Sequence, residues 1–344
     1  MPPKRIVYLF GAGATIAEAT HAGIGPYLSL TDISERVVQK ARGETDLADL
    51  LTGTGGDIED IELYISLLES LGIKKYSSAA TKLRDIFCEC IQEGLIQAGK
   101  PIEPLLTMAL LEMHNAPEIQ AFEQLNGIIT LNYDNLLDRA FNKILDGVNY
   151  GIACKCVSGN YNIWQKEPPL IKLHGSFNWR TSFPIRIVDG RKAHLRGQKE
   201  MIWIPPSIEK EMDRYPFNLL WGRAFELLDC DTLRIVGCSL SRNDWGVLSL
   251  LFFSQLGSAP KRSYQIEIID QQKIGNDMRR KIGFLRHLKV LGELDGCQEF
   301  DNEQLKLPNV FETWLKRKLW LFKNNGIPVD DLKLKFVNEL MDWK

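Results

Sequence analysis

Five short segments carry residues that could do chemistry, and each follows an apolar run. Gly11-Ala12-Gly13-Ala14-Thr15 follows Ile6–Phe10. A glycine turn of this kind lets backbone N–H groups at a helix N-terminus approach a phosphate. Asn132 and Asp134 stand at the end of the run from Gly127, where open α/β sheets bind ligands. His174 lies between the run Leu170–Leu173 and Gly175, a placement that His21, His114, His194 and His287 lack. Imidazole titrates near neutrality, so it suits a general base. Gly237-Cys238-Ser239 repeats the strand-then-glycine pattern after Leu233–Val236. Asp270 closes Ile266–Ile269, where a carboxylate can accept hydrogen bonds from ribose hydroxyls.

Each segment also has a plainer reading. The glycines can make a tight turn without a ligand. Asp134 can cap the next helix, with Asn132 satisfying a turn. His174 can be a structural histidine, the 237–244 segment a strand-to-helix turn, and Asp270 a solvated turn residue. Ile16 occupies the position of the third glycine in the dinucleotide fingerprint, which disfavours an ordinary Rossmann dehydrogenase.

Other groupings point to nothing specific. Asp57, Glu59, Asp60 and Glu62 suit the first turn of a helix better than a metal. Gly53-Thr54-Gly55-Gly56 lacks the lysine of a phosphate loop. The pairs Cys88/Cys90 and Cys154/Cys156 have the wrong spacing for a zinc ribbon. The basic stretches 316–318 and 279–289 read as solvated helix faces.

The elements that must position these residues alternate. Strands are expected at 6–10, 127–132, 170–173, 201–204, 233–236, 266–269 and 288–291. Helices are expected after the first turn, at about 78–98 and 102–115, from near Asp134, and at about 209–228 and 243–256. Asp57 is expected to cap a further helix with the stripe Ile58, Ile61, Ile65 and Leu68. Two short helices are expected over about 309–343. The alternation predicts an α/β, Rossmann-like, doubly wound and mostly parallel sheet. It carries a large helical insertion and C-terminal helices. The expected division is 1–30 and 125–295 as the core, 31–124 as the insertion and 296–344 as the C-terminal segment.

Composition bounds the rest. Of 344 residues, 44% are hydrophobic and 25% charged, which excludes disorder as the main state. A net charge of −2 gives no global pull toward nucleic acid or membrane, so neither is expected as a direct partner. No apolar run is long enough to span a bilayer, and the run at 6–10 is too short for a signal peptide. Seven cysteines do not make a disulfide scaffold. A cytoplasmic setting is expected.

Taken in order, the Gly-Ala-Gly turn, Asn132-x-Asp134, His174-Gly175 and Gly237-x-Ser239 resemble the sirtuin-like NAD-binding family. The resemblance covers residues 1–30 and about 125–295. Deacylases of that family carry paired CxxC motifs after the histidine, whereas this chain has no cysteine between His174 and Cys230. Their Pro-Asp-Phe-Arg is replaced here by Gly25-Pro26-Tyr27-Leu28. The chain therefore looks more like the zinc-free branch of bacterial antiphage defence systems, which hydrolyses NAD.

That resemblance implies roles. Asn132 would position the ribose and a water, and His174 would act as base or polariser through the ribose hydroxyls. Asp134 would contact the carboxamide. Gly11, Ala12, Gly13, Thr15, Gly237, Ser239 and Asp270 would complete the NAD site, with no metal. It further implies a regulated effector that depletes NAD. Its partners would be further copies of the chain, with a DNA-translocase-type ATPase or a phage protein as activator. The alternatives are a non-enzymatic NAD-binding or assembly subunit and, behind it, a protein deacylase or ADP-ribosyltransferase. Regulation is expected to act through the 31–125 segment, with both its ends near the pocket. The C-terminal helices, through Phe311, Trp314, Leu315, Leu319 and Phe322, are expected to offer a second apolar contact surface, and packing within the chain explains the same residues equally well.

Overall fold

The computed structural model describes residues 2–24, 28–53, 58–157, 162–163, 166–188, 201–204, 213–240, 244–256, 264–283, 285, 288–290, 309–327, 329 and 334–341. The readings on residues 25–27 and 54–57, on His194, Asn243 and His287, and on the start of the C-terminal segment lie outside the described residues.

In chain order the elements are β1 (Lys4–Phe10), α1 (Ala12–His21), α2 (Leu30–Ala41), α3 (Thr45–Gly53), α4 (Ile61–Ser70) and α5 (Lys74–Gly94). Next come β2 (Ile96–Gln97), β3 (Lys100–Pro101), α6 (Leu105–Asn115), α7 (Pro117–Gln120), β4 (Glu123–Thr130) and α8 (Leu136–Ile144). They are followed by β5 (Cys154–Cys156), β6 (Leu170–Lys172), β7 (Gly175–Arg180), β8 (Ile185–Ile187) and β9 (Met201–Trp203). The chain continues through α9 (Phe217–Leu227), β10 (Thr232–Val236), α10 (Trp245–Leu256), β11 (Gln265–Ile269) and α11 (Gln272–Lys281). It ends with β12 (Leu288–Val290), α12 (Val310–Asn324) and α13 (Lys335–Met341).

Six strands form the central sheet in the order β12-β11-β10-β1-β4-β6, and every pairing is parallel. This is the doubly wound order 3-2-1-4-5-6. The chain winds from β1 to one side and then crosses back beyond β1 at β10. The strand ends beside that reversal border a crevice, which is where such sheets take ligands. All five residues of β10 and the last five of β1 are buried, as expected for strands covered on both faces.

Residues 201–204 form a strand as expected, but not in this sheet. β9 pairs antiparallel with β7 in a second sheet of order β5-β8-β7-β9. An apolar run alone cannot tell a parallel core strand from a strand of a smaller sheet.

The 31–124 segment divides by its packing. Helices α2 to α5 share an apolar core of their own, including Val37, Leu47, Ile61, Ile65, Leu83 and Phe87. Helix α6 packs instead with the sheet core through Leu106, Leu110 and Met113. Asp60 caps α4, accepting from Leu63 N at 2.9 Å. The apolar stripe thus starts at Ile61, with Ile58 outside the helix.

The C-terminal helices form, but their apolar face is not a free surface. Phe311, Trp314, Leu315, Leu319 and Phe322 are all buried in the sheet core. A buried charge network explains the docking. Arg234 on β10 makes two hydrogen bonds to Glu123, one to Glu267 and one to Tyr8 Oη. Its guanidinium also lies 5.3 Å from the Trp314 ring. Lys318 on α12 completes the set on Glu123. The reading of 316–318 as a solvated face therefore fails at Lys318, whose ammonium neutralises a carboxylate beneath the helix. Among the described residues no helix is long and apolar enough to cross a membrane.

Candidate active site

All ten residues singled out from the sequence meet in one cleft of about 380 Å³: Gly11, Ala12, Gly13, Thr15, Asn132, Asp134, His174, Gly237, Ser239 and Asp270. They come from the C-terminal ends of β1, β4, β6, β10 and β11. Leu28, Ser29, Leu30 and Ile33 around the start of α2, Glu62 of α4, and Phe87 and Ile91 of α5 line it too. The first end of the helical segment thus reaches the cleft, but the second does not: it enters β4 at Glu123, at the opposite end of the strand from the cleft, and the other lining residues come from α4 and α5 in its middle.

The glycines are required by the approach of two turns. Gly11 N donates to Val236 O at 3.0 Å and Gly13 N to Gly237 O at 2.7 Å. A Cβ on Gly11 would sit 2.7 Å from Cys238 Cα, and one on Gly237, at φ +57°, 2.3 Å from Ala14 N. The tight-turn reading is therefore realised. It leaves the start of α1 in the cleft with no side-chain cap and no acidic residue in its first turn. That is a favourable end for an anion.

Asn132, Thr15 and Asp134 form a chain. Asn132 Nδ2 donates to Gly11 O at 2.9 Å and to Thr15 Oγ1 at 3.0 Å. Thr15 Oγ1 donates to Asp134 Oδ2 at 2.7 Å. Because Gly11 O can only accept, the amide orientation of Asn132 is fixed. Its two N–H donors are spent on protein, and Oδ1 remains to accept from a ligand. Asp134 Oδ1 accepts from Leu136 N, the first residue of α8, at 2.9 Å, although the N-cap position itself is Asn135. The helix begins at Leu136, two residues later than Asp134.

His174 is buried, with 3% of its surface exposed, and still borders the cleft. Its ring stacks on Tyr133 with centroids 5.9 Å apart and 29° between planes. Tyr133 stacks in turn on Phe177 and meets the edge of Trp203. Gly175 follows at φ +74°, where a Cβ would lie 2.3 Å from Ile202 O of the second sheet. The His-Gly step thus brings the start of β7 against β9, with Ile204 N donating to His174 O at 2.8 Å.

Sequence reasoning missed what lies beneath. Lys172 Nζ donates to Asp138 Oδ2 at 2.7 Å and to Asp134 O. Tyr150 Oη donates to Asp138 Oδ1. Both members of the Lys172–Asp138 pair are fully buried. The available signal was a lysine inside the otherwise apolar run Leu170–Leu173.

Glu62 and Asp244 join Asp134 and Asp270 as carboxylates of the wall, and no lysine or arginine is among the described lining residues. Burial pushes the Asp270 carboxyl up to about 6, against the opposing pull of hydrogen bonds from the backbone of Gln271 and Cys238. Among the described residues no three metal-ligating side chains cluster.

A family profile described as the SIR2-like domain matches residues 126–279. That stretch holds Asn132, Asp134, His174, Gly237, Ser239 and Asp270, and leaves the 11–15 turn outside. No curated protein matches the chain. Among solved structures, one from work on the mechanism and regulation of Sir2 enzymes is 16% identical, over 92% of this chain and 93% of that chain, with a TM-score of 0.41. A Sir2 homolog–NAD complex is 16% identical, over 85% and 86%, with a TM-score of 0.41. A Sir2 bound to an acetylated peptide is 14% identical, over 94% and 93%, with a TM-score of 0.38. Over residues 126–279 the chain is thus similar to the SIR2-like domain.

Proposed function

We propose that the cleft is the site of an NAD glycohydrolase. The reaction breaks the bond between nicotinamide and ribose and adds water to the ribose carbon. Nicotinamide, ADP-ribose and a proton are released. Nicotinamide leaves as a neutral molecule from a cationic ring, so no acid has to protonate it. The site must hold the ribose, favour positive charge on it and direct one water.

The observation that carries this reading is the Asn132–Thr15–Asp134 chain beside His174. It leaves Asn132 Oδ1 as an acceptor for a ribose hydroxyl or for the attacking water. In this reading His174 takes the proton through the ribose hydroxyls, and Asp134 orders Thr15 and faces the carboxamide. The carboxylates of the wall favour the positive charge that moves from the ring to the ribose. The start of α1 with Gly11, Ala12 and Gly13 receives the pyrophosphate, Gly237 and Ser239 border it, and Asp270 accepts from the adenosine ribose.

By the same reading the chain belongs to the zinc-free, NAD-hydrolysing branch of antiphage defence effectors. Its activity stays low until further copies, a DNA-translocase-type ATPase or a phage protein engage it. The lining residues contributed by α2, α4 and α5 support that control, because a shift of these helices changes the cleft wall.

The test is product analysis. Purified protein, alone and with a DNA-translocase-type ATPase or a phage lysate, is incubated with NAD across a range of protein concentrations. Nicotinamide and ADP-ribose in equal amounts are expected. An acyl-ADP-ribose formed from an acylated peptide, or unchanged NAD in every condition, would contradict the reading.

A further inference from the structure

We infer that Lys172 is a positioning residue for the cleft, acting through the backbone of Asp134; its effect on turnover rests on the proposed NAD cleavage. Lys172 ends β6, paired in register with Thr130 of β4, and its side chain is fully buried. A buried ion pair is a poor way to gain stability. Apolar residues of similar volume usually do as well or better, because both charges must leave water. Leu170, two residues back and on the same face of β6, is a buried apolar residue, so the local packing would accept another.

What an apolar side chain cannot do is hold a carbonyl. The Lys172 ammonium donates to Asp134 O, while Asp138, one helical turn beyond Asp134, balances its charge. The carbonyl before it is held from the same stretch of chain: Tyr133 O accepts from Ser176 Oγ at 3.1 Å and from Phe177 N at 3.0 Å. His174 lies between these two attachments. The segment that carries His174 therefore fixes the loop that carries Asn132, and Lys172 is the part of that linkage that depends on charge.

The test uses the full chain with both charges removed together, Lys172→Met with Asp138→Leu, so that neither is left buried and unpaired. Hydrogen exchange is read at the amides of Leu131, Asn132 and Leu136, which the intact loop protects by bonds to Phe10 O, Thr130 Oγ1 and Asp134 Oδ1. The expected result is a melting temperature near wild type, at least about tenfold faster exchange at these amides, and a kcat lower by about 10- to 100-fold. KM for NAD should change much less, since the pyrophosphate and adenosine ribose are held elsewhere in the cleft.

A purely structural pair predicts wild-type exchange at these amides and wild-type kcat, and that result overturns the inference. Faster local exchange in a chain whose wild-type form does not cleave NAD would uphold the positioning and sink the proposed reaction. Tyr150→Phe provides a milder variant should the double one not fold. Exchange at the same amides should rise with a smaller loss of kcat, and no change in either overturns the inference.

Discussion

Gly13 and Gly237 meet backbone to backbone, Gly13 N donating to Gly237 O at 2.7 Å, and this contact joins the turn after β1 to the turn after β10. It explains two glycines by one physical cause. Neither position has room for a Cβ, because each would press on the other's main chain.

Gly237→Ala should therefore destabilise the fold by at least about 2 kcal/mol, combining the cost of positive φ with a clash against α1. Chemical denaturation measures it. A variant as stable as wild type would show that the two turns can separate freely.

Thr15→Val keeps shape and removes the hydroxyl that accepts from Asn132 and donates to Asp134. The expected cost is about 1–3 kcal/mol, the usual range for leaving buried polar partners unsatisfied. NAD turnover should fall with it, because Asn132 loses one of its two restraints. Unaltered melting temperature and unaltered turnover would both count against the chain of bonds described.

The strand ends were legible because each apolar run stops at a residue that cannot continue it: Gly11, Asn132, His174 before Gly175, Gly237 and Asp270. The doubly wound order followed from alternation. Long-range pairings were not legible. Nothing local to Lys172 names Asp138 or Asp134 as its partner, and the lysine reads as a flaw in a strand until α8 is packed beside it. Lys318 and Glu123 are 195 residues apart, so the docking of α12 onto the sheet leaves no local trace beyond the apolar stripe. That stripe is equally suited to a partner or to the chain's own core, and the core took it. The same limit applies to residues 201–204, where strand character was visible and its sheet was not.

Asp270 gives a pH dependence with a definite sign. Its carboxyl titrates near 3.8 when solvated and near 6 in the folded chain. Between those values the folded state keeps a proton that the unfolded state has released, so the contribution of Asp270 to stability falls as pH rises through this window. Asp270→Asn should raise the melting temperature relative to wild type at pH 7, with the difference closing near pH 4. It should also weaken NAD binding. Wild-type NAD affinity should increase as pH rises through about 6, because the ionised carboxylate is the better acceptor for a ribose hydroxyl. A melting temperature difference independent of pH would contradict the assignment.

Control through the helical cluster predicts that NAD cleavage per chain rises with protein concentration or on adding an activating partner. Activity assayed from dilute to concentrated protein decides this. Full, concentration-independent activity of a dilute monomer that no partner alters would rule it out.

The central claim is that Asn132 and His174 carry out NAD cleavage in this cleft. The direct measurement is NAD turnover by Asn132→Ala and His174→Ala, each verified as folded, against wild type in the same active assembly. The account predicts losses of about 10²–10⁴-fold for each variant, the usual cost of removing a positioned catalytic group. Near-normal turnover by either variant would contradict the role given to that residue.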